Sequence, residues 1–329
     1  MSDFWKEEPE VFAELNQVRS LIRSTVEQAH GFIRTVLLSH VDSMGKMLRP
    51  ALALITSRLG ASMERESVLR IASVLEMIHL ASLVHDDIID SAKTRRGIPT
   101  MYAQLGAKQA VLAGDYLLAR AMSLVNGKEG DLEARAVSNA FSRLCESELE
   151  QDAALGDFFI SEQAYLRRIA GKTASLFALS CYAGASINKA SPADQTRVHR
   201  IGYEMGMAFQ IQDDMLDYEG DEASLGKQVG KDLTCGVPTL PLLKALQAEK
   251  NLPAGAQELH ILLAEKPHLT DRQVRKAVVL VKRLGGVQAA LVLENAYTQR
   301  ALRDIAALSD PLVAAQLARL FTRLSTRAT

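Results

Sequence analysis

The chain has 329 residues, enough to bury a large core and, by length alone, enough for two domains. Its formal net charge of −1 gives no electrostatic case for nucleic acid or an anionic membrane surface, so no nucleic-acid partner is expected. Three widely spaced cysteines, Cys145, Cys181 and Cys235, argue against a disulfide framework or a zinc site and fit a reducing, cytoplasmic location.

Read in chain order, the sequence predicts helix almost throughout. The opening MSDFWKEEPEVFAEL has no basic stretch leading into an apolar core, so no secretory signal is expected. No run approaches the roughly 18 apolar residues of a bilayer helix, so no membrane span is expected either. Abundant Ala and Leu and the near absence of alternating patterns predict helices over 9–39, 49–59, 64–90, 103–126, 131–155, 161–186, 192–219, 238–250, 255–265, 271–284, 286–307 and 310–326. Residues 126–131 read as a turn, Ser191-Pro192 as a helix start, and Thr270 with Gln273 as a capping box. The stretches 71–89 and 201–218 are apolar on most sides and belong inside a bundle. One long irregular segment, Glu219 to Gly236, holds four glycines with Lys227 and Lys231, the composition of a functional loop or lid. No linker or composition shift divides the chain. The fold class expected is all-α, a single domain over 1–329.

Two apolar helices end in the same acidic motif: Asp86-Asp87-Ile88-Ile89-Asp90 and Asp213-Asp214-Met215-Leu216-Asp217. Aspartate is a poor helix-interior residue and is rarely buried unpaired. The spacing lets the three carboxylates of each motif share a helical face, where a cation would relieve their repulsion. Hard oxygen ligands without Cys or His suit Mg²⁺, which completes its shell with water and phosphate oxygens. A lone motif of this kind is commonly a solvated surface cluster; the repetition in apolar surroundings is what makes metal and phosphate binding the better reading.

Cations accompany the motifs. Lys46 and Arg49 lie in GKMLRP, and Arg95-Arg96 precede Gly97, suited to phosphate through planar guanidinium donors. Lys172-Thr173 sit in a helix otherwise rich in Ala, Leu and Phe, so the lysine is expected to reach a cavity or a partner. Gln210 stands one turn before the second motif, and His79 seven residues before Asp86 on about the same face. No Walker loop, dinucleotide glycine pattern or nucleophile–His–acid order is present. The apolar interior suggests that the rest of the ligand is hydrocarbon.

The ordered set GKMLRP, EMIHLASLVHDDIIDSAKTRRGIPT, AGDYLLARA, KTASLF, MGMAFQIQDDMLDY, GKQVGKDL and TLPLL resembles the trans-polyprenyl diphosphate synthases, of the octaprenyl-like, medium- or long-chain type. The resemblance spans nearly the whole chain. It implies a helical bundle around a deep central cavity, usually in a homodimer, with two or three Mg²⁺ ions. It implies an allylic diphosphate held through Mg²⁺ by Asp86, Asp87, Asp90, Asp213, Asp214 and Asp217, with Arg95, Lys172 and Lys227 on its phosphates. Isopentenyl diphosphate would meet Lys46, Arg49, His79 and Arg96, while Thr173 and Gln210 would stabilise the allylic cation. One departure is Val237 where the family commonly has lysine; Lys231 is the substitute cation.

The resemblance also bears on product length. Ala81 and Ser82, five and four residues before Asp86, are small where bulky groups close the cavity early in short-chain members. The fifth residue lies about 7.5 Å down the helix axis, so an open shaft and a product of quinone side-chain length are expected. Three alternatives stand beside this one: a farnesyl or geranylgeranyl diphosphate synthase, a class I terpene cyclase, and a non-catalytic subunit. GKMLRP and RRG argue against the cyclase, and the intact triplets against the subunit.

Overall fold

The computed structural model describes residues 3–125, 131–219, 229–264 and 268–325. A short 3-10 turn, Asp3–Trp5, leads into α1 (Pro9–Val26), α2 (Phe32–Asp42), α3 (Leu48–Thr56), α4 (Arg65–Ile89), α5 (Met101–Leu105), α6 (Ala107–Val125), α7 (Asp131–Ala153) and α8 (Glu162–Ile169). After them come α9 (Ser175–Ile187), α10 (Pro192–Glu219), α11 (Lys231–Thr234), α12 (Leu240–Glu249), α13 (Glu258–Ala264), α14 (Asp271–Arg283), α15 (Gly286–Ala306) and α16 (Pro311–Ser325). Among the described residues the only strands are Thr94–Arg95 and Ile98–Pro99, so the all-α expectation holds.

These residues form two compact units. The first comprises Met1–Phe141, Leu179–His199 and Leu308–Val313; the second Ser142–Ala178, Arg200–Ala307 and Ala314–Thr329. The first is built around α4, on which α1, α3 and α6 pack. Ile71, Val74, Leu75, Met77, Ile78, Ala81 and Val84 of α4 are all buried, so the helix presents apolar groups to several neighbours at once. By composition α4 is long and apolar enough to cross a bilayer, but 72 % of that apolar window is buried inside the protein. From α1, Val11, Leu15, Val18 and Ile22 make one buried stripe at helical spacing. Each such side chain contributes about 1.5–3 kcal/mol on burial.

Two helices predicted as continuous are broken. The 9–39 run divides before Gly31, at φ +68°, and the 103–126 run divides at Gly106, at φ +77°. Gly31 is the N-cap of α2 and Gly106 the C-cap of α5; both combine positive φ with extended ψ, −153° and 164°, a backbone open to glycine alone, and apolar periodicity does not register such a break. The hairpin was not predicted because two-residue strands carry no alternation. Its register pairs Thr94 with Pro99 and Arg95 with Ile98, leaving Arg96-Gly97 as a two-residue turn. Both turn residues have positive φ, +52° and +80°, the pattern of a type I′ turn.

In the second unit α12 packs against α13, α14 and α15. Ile201, Met205, Met207, Ala208, Ile211, Met215 and Tyr218 of α10 are buried, as its apolar pattern predicts. The predicted capping box is present, with Thr270 N–H donating to Gln273 Oε1 at 3.0 Å. The 161–186 run is helical but interrupted by a π-helical turn over Ala170–Ala174, and the predicted loop contains α11. Residues 126–130 with their predicted turn, and Gly220, Gly226 and Lys227, lie outside the described residues.

Candidate active site

In the first unit, α4 ends on the first acidic motif and delivers its carboxylates unequally. Asp86 is half-buried and Asp90 exposed, four residues apart, but Asp87 is only 3 % exposed and accepts from Arg95 Nε at 2.8 Å. The expected single face therefore splits. At 100° per residue the second aspartate turns into the core, where the hairpin supplies its counter-charge. The chain leaves the helix through Ser91 at φ +51°, and Ala92 N–H caps the Asp87 carbonyl at 2.9 Å. Of the four non-glycine residues with positive φ among the described residues, Met47, Ser91 and Arg96 lie in the predicted motifs, the kind of local strain that functional loops retain.

A small cavity of about 30 Å³ is bordered by Glu76, His79, Asp87, Arg95 and Arg96 among others. Arg96 lies directly over Gly45, where a Cβ would meet its guanidinium at 2.7 Å. Arg49 is half-buried beside Glu76 and Arg96; burial lowers its pKa to about 10, while Glu76 opposes the shift. Burial, then Arg49, Arg96 and Arg95, hold His79 well below its ordinary pKa, so its imidazole is neutral near pH 7. Lys46 Nζ lies 4.3 Å from the Phe4 ring centroid. Glu76 is 5 % exposed, and burial raises its carboxyl pKa against the pull of Arg49, Arg96 and Arg19. Sequence reading missed it, although an acid inside the apolar run EMIHLASL was a visible signal.

The second unit holds the second motif at the end of α10. Asp213 is exposed. Asp214 is 6 % exposed and accepts from Tyr165 Oη at 2.7 Å and Gln210 Nε2 at 2.9 Å. Asp217 accepts the backbone N–H groups of Lys231 and Asp232, both at 3.0 Å, and so ties down the start of α11. Burial raises the Asp214 carboxyl, with Asp217 adding to the shift. Burial raises Asp232 too, with Asp214 and Asp217 adding. Lys231 itself is exposed, as is Cys235, which forms no disulfide.

The π-helical turn presents Lys172 and Thr173 differently from a regular helix. Gly171 allows it to sit against α7, where a Cβ would come within 1.8 Å of Ser147 Oγ. Lys172 Nζ lies 2.7 Å from Glu148, and Thr173 Oγ1 donates to Gln210 Oε1 at 2.7 Å. Such single π turns often mark functional positions. Tyr165, Arg168, Glu148 and Asp232 were all missed from sequence. Arg168 N–H donates to the Pro238 carbonyl, and the guanidinium carbon lies 5.6 Å from the Tyr165 ring centroid.

Among the described residues no group of three or more His, Cys, Asp or Glu is arranged to hold a metal by itself. The donors at both motifs are nonetheless carboxylate oxygens with no Cys or His. That fits Mg²⁺, which takes one or two carboxylates and leaves the rest of its shell to water and phosphate. Ala81 is fully buried, and Ser82 Oγ donates to the His79 carbonyl at 2.9 Å.

An all-helical chain that ends two core helices in carboxylates, with arginines and a neutral histidine beside the first, belongs to the class that handles phosphorylated hydrocarbon. Residues 30–281 match the family model described as polyprenyl synthetase. The chain is 34 % identical to heptaprenyl diphosphate synthase component 2 of Bacillus subtilis over 295 residues, 89 % of this chain and 82 % of that one. Geranylgeranyl pyrophosphate synthase from Lactobacillus brevis superposes with a TM-score of 0.91 at 33 % identity, covering 99 % of this chain and all of its own. A polyprenyl synthase from Caulobacter crescentus, in complex with calcium and isoprenyl diphosphate, gives 0.88 at 30 % identity, with 100 % and 98 % covered. The chain belongs to the polyprenyl synthetase family and is a trans-prenyltransferase.

Proposed function

We propose that the enzyme condenses isopentenyl diphosphate repeatedly with an allylic diphosphate to give a medium- or long-chain all-trans polyprenyl diphosphate for quinone side chains. The observation that carries this is a carboxylate motif at the end of α4 beside arginines and a neutral histidine, with the same motif repeated at the end of α10. Asp86 and Asp90 at one motif and Asp213 at the other would hold Mg²⁺. Asp87, Asp214 and Asp217 lie close behind them, partly committed to protein donors. Mg²⁺, when bound, supplies the charge that lets diphosphate leave.

Arg95 and Lys172 orient the allylic diphosphate, with Lys227 and Lys231 on the adjoining segment. Lys46, Arg49 and Arg96 bind the diphosphate of the second substrate by charge-assisted hydrogen bonds. His79, being neutral, adds a hydrogen bond without further charge. The allylic C–O bond breaks and releases diphosphate, the isopentenyl double bond attacks the resulting cation, and the new C–C bond is followed by transfer of a proton to the released diphosphate. Thr173 and Gln210 face that cation with neutral oxygens.

The length of the product rests on Ala81 and Ser82. Relatives of this fold carry both heptaprenyl and geranylgeranyl names, so the fold does not choose between lengths. Small residues on α4 favour the longer product. If they line the shaft, Ala81→Phe shortens the product and leaves the first condensation intact. If they only pack, the change costs about 1–3 kcal/mol of stability and leaves the product distribution unchanged. Chromatography of dephosphorylated products from isopentenyl diphosphate, an allylic starter and Mg²⁺ tests both the reaction and the length. Absence of any elongated product would refute the proposal.

We read 1–329 as one catalytic domain, because both compact units are assembled from interleaved stretches of chain. Three free cysteines support a cytoplasmic location. A homodimer is proposed from the family resemblance. The name "component 2" borne by the Bacillus relative makes a two-chain assembly the alternative, and light scattering of the purified chain distinguishes them.

A further inference from the structure

We infer that Tyr165 and Asp214 are positioning residues that fix the Gln210 amide, and through it the Thr173 hydroxyl, with oxygen lone pairs available to the allylic cation. This rests on the prenyl-transfer reading above. The argument is one of donors and acceptors. An ionised carboxylate only accepts. Asp214 takes the Tyr165 hydroxyl on one oxygen, at 2.7 Å, and the Gln210 amide nitrogen on the other, at 2.9 Å.

The amide nitrogen of Gln210 is thereby committed, although an isolated amide could sit either way round. Its Oε1 must point away from Asp214, and Thr173 Oγ1 lies 2.7 Å from it. An amide oxygen cannot donate. The threonine must spend its one proton on Gln210, and its oxygen then has only lone pairs for any third group. The polarity of the whole chain, from Tyr165 to Thr173, is set at its buried end. Neutral oxygens suit an allylic cation, since they stabilise it electrostatically where a carboxylate would trap it as an ester.

The four groups sit on helical elements, three of them with buried side chains. Tyr165 is fully buried on α8, Gln210 and Asp214 are one turn apart on α10, and Thr173 is 5 % exposed in the π turn. That turn sends Lys172 to Glu148 and Thr173 to Gln210, so the adjacent side chains take separate partners.

Tyr165→Phe removes one O–H and keeps the ring, and calorimetry on the full chain reads the result. Two allylic diphosphate analogues serve as probes with Mg²⁺, one bearing an ammonium nitrogen at the carbon that becomes cationic, the other a neutral thioether of the same shape. In Tyr165→Phe the ammonium analogue should bind about tenfold more weakly and the neutral one within about twofold of wild type, on the scale of one hydrogen bond to a charged group. Turnover should fall by a similar factor with the KM for isopentenyl diphosphate little changed. Tyr165→Phe added to Gln210→Ala should cost no more than Gln210→Ala alone.

Thr173→Ser should keep the preference for the ammonium analogue and Thr173→Val should lose it, a check that leaves Tyr165 untouched. Equal weakening of both analogues, or additive losses in the double variant, overturns the positioning role. A wild-type protein that binds neither analogue instead overturns the prenyl-transfer reading and this inference with it.

Discussion

At the end of α4, Asp87 is held by an arginine from a hairpin; at the end of α10, Asp214 is held by a tyrosine and an amide, and Asp217 by two backbone N–H groups. The spacing of the two motifs is identical, yet their electrostatics differ. Around the first, burial together with Arg49, Arg96 and Arg95 holds a histidine neutral. Around the second, burial raises the Asp214 and Asp232 carboxyls, and repulsion among Asp214, Asp217 and Asp232 adds to the cost. The inward carboxylate of the first motif is thus neutralised by an arginine, while that of the second leans on neutral donors, with Lys231 and Arg168 only partly offsetting the charge around it. A repeated motif in sequence need not be a repeated environment.

The largest expected effect tests the second motif directly. Asp213→Ala should lower turnover by about 100-fold or more, the scale of losing one preorganised electrostatic contact, and should raise the Mg²⁺ needed for half-maximal rate. Near-normal turnover in a folded Asp213→Ala protein would falsify the metal assignment. Asp87→Ala should also impair turnover, but through Arg95. In a double-mutant cycle Asp87→Ala and Arg95→Ala should therefore couple by about 0.5–3 kcal/mol. Additive losses would mean that Asp87 acts independently of its arginine.

The sequence revealed the helices, both acidic motifs and most of the cations, because apolar periodicity and charges in apolar runs are local signals. It did not reveal how each triplet divides. Which carboxylate turns inward depends on Tyr165 arriving from α8, 49 residues away in sequence, and on a hairpin that folds Arg95 back onto Asp87. Glu76 and Tyr165 passed unnoticed for a related reason: a single acid or tyrosine in a helical run becomes informative only when its neighbours in space are known. Gly31 and Gly106 were legible in principle, since glycine in a long helical pattern carries a cost.

A smaller effect should appear when the repulsion in the second unit is relieved. The Asp232 carboxyl is raised above its ordinary value, so the folded protein loses stability as pH rises from the unfolded carboxylate pKa, near 4, through the higher folded one. Asp232→Asn removes that loss. Without metal it should melt above wild type at pH 8 by roughly 2 °C, about 1 kcal/mol, with the gap closing towards pH 4. A variant less stable than wild type across that range would show that Asp232 is a net stabiliser and that the comparison between the motifs is drawn wrongly.

The smallest effect belongs to the first motif and runs the other way with pH. His79 is kept neutral by burial and by Arg49, Arg96 and Arg95, with Glu76 and Asp87 the acids that border the same cavity. Its folded pKa lies below the unfolded value of about 6.5, so below that pH the unfolded chain binds the extra proton. Stability from this group is complete above about pH 6.5 and declines as pH falls towards the folded pKa, by at most about 1.4 kcal/mol per pH unit. His79→Gln keeps a hydrogen-bond donor and cannot titrate. Melting curves between pH 7.5 and 5 should therefore fall less steeply in the variant than in wild type. Identical slopes would mean that the arginines do not exclude the proton, and that the first motif is less positive than its contacts imply.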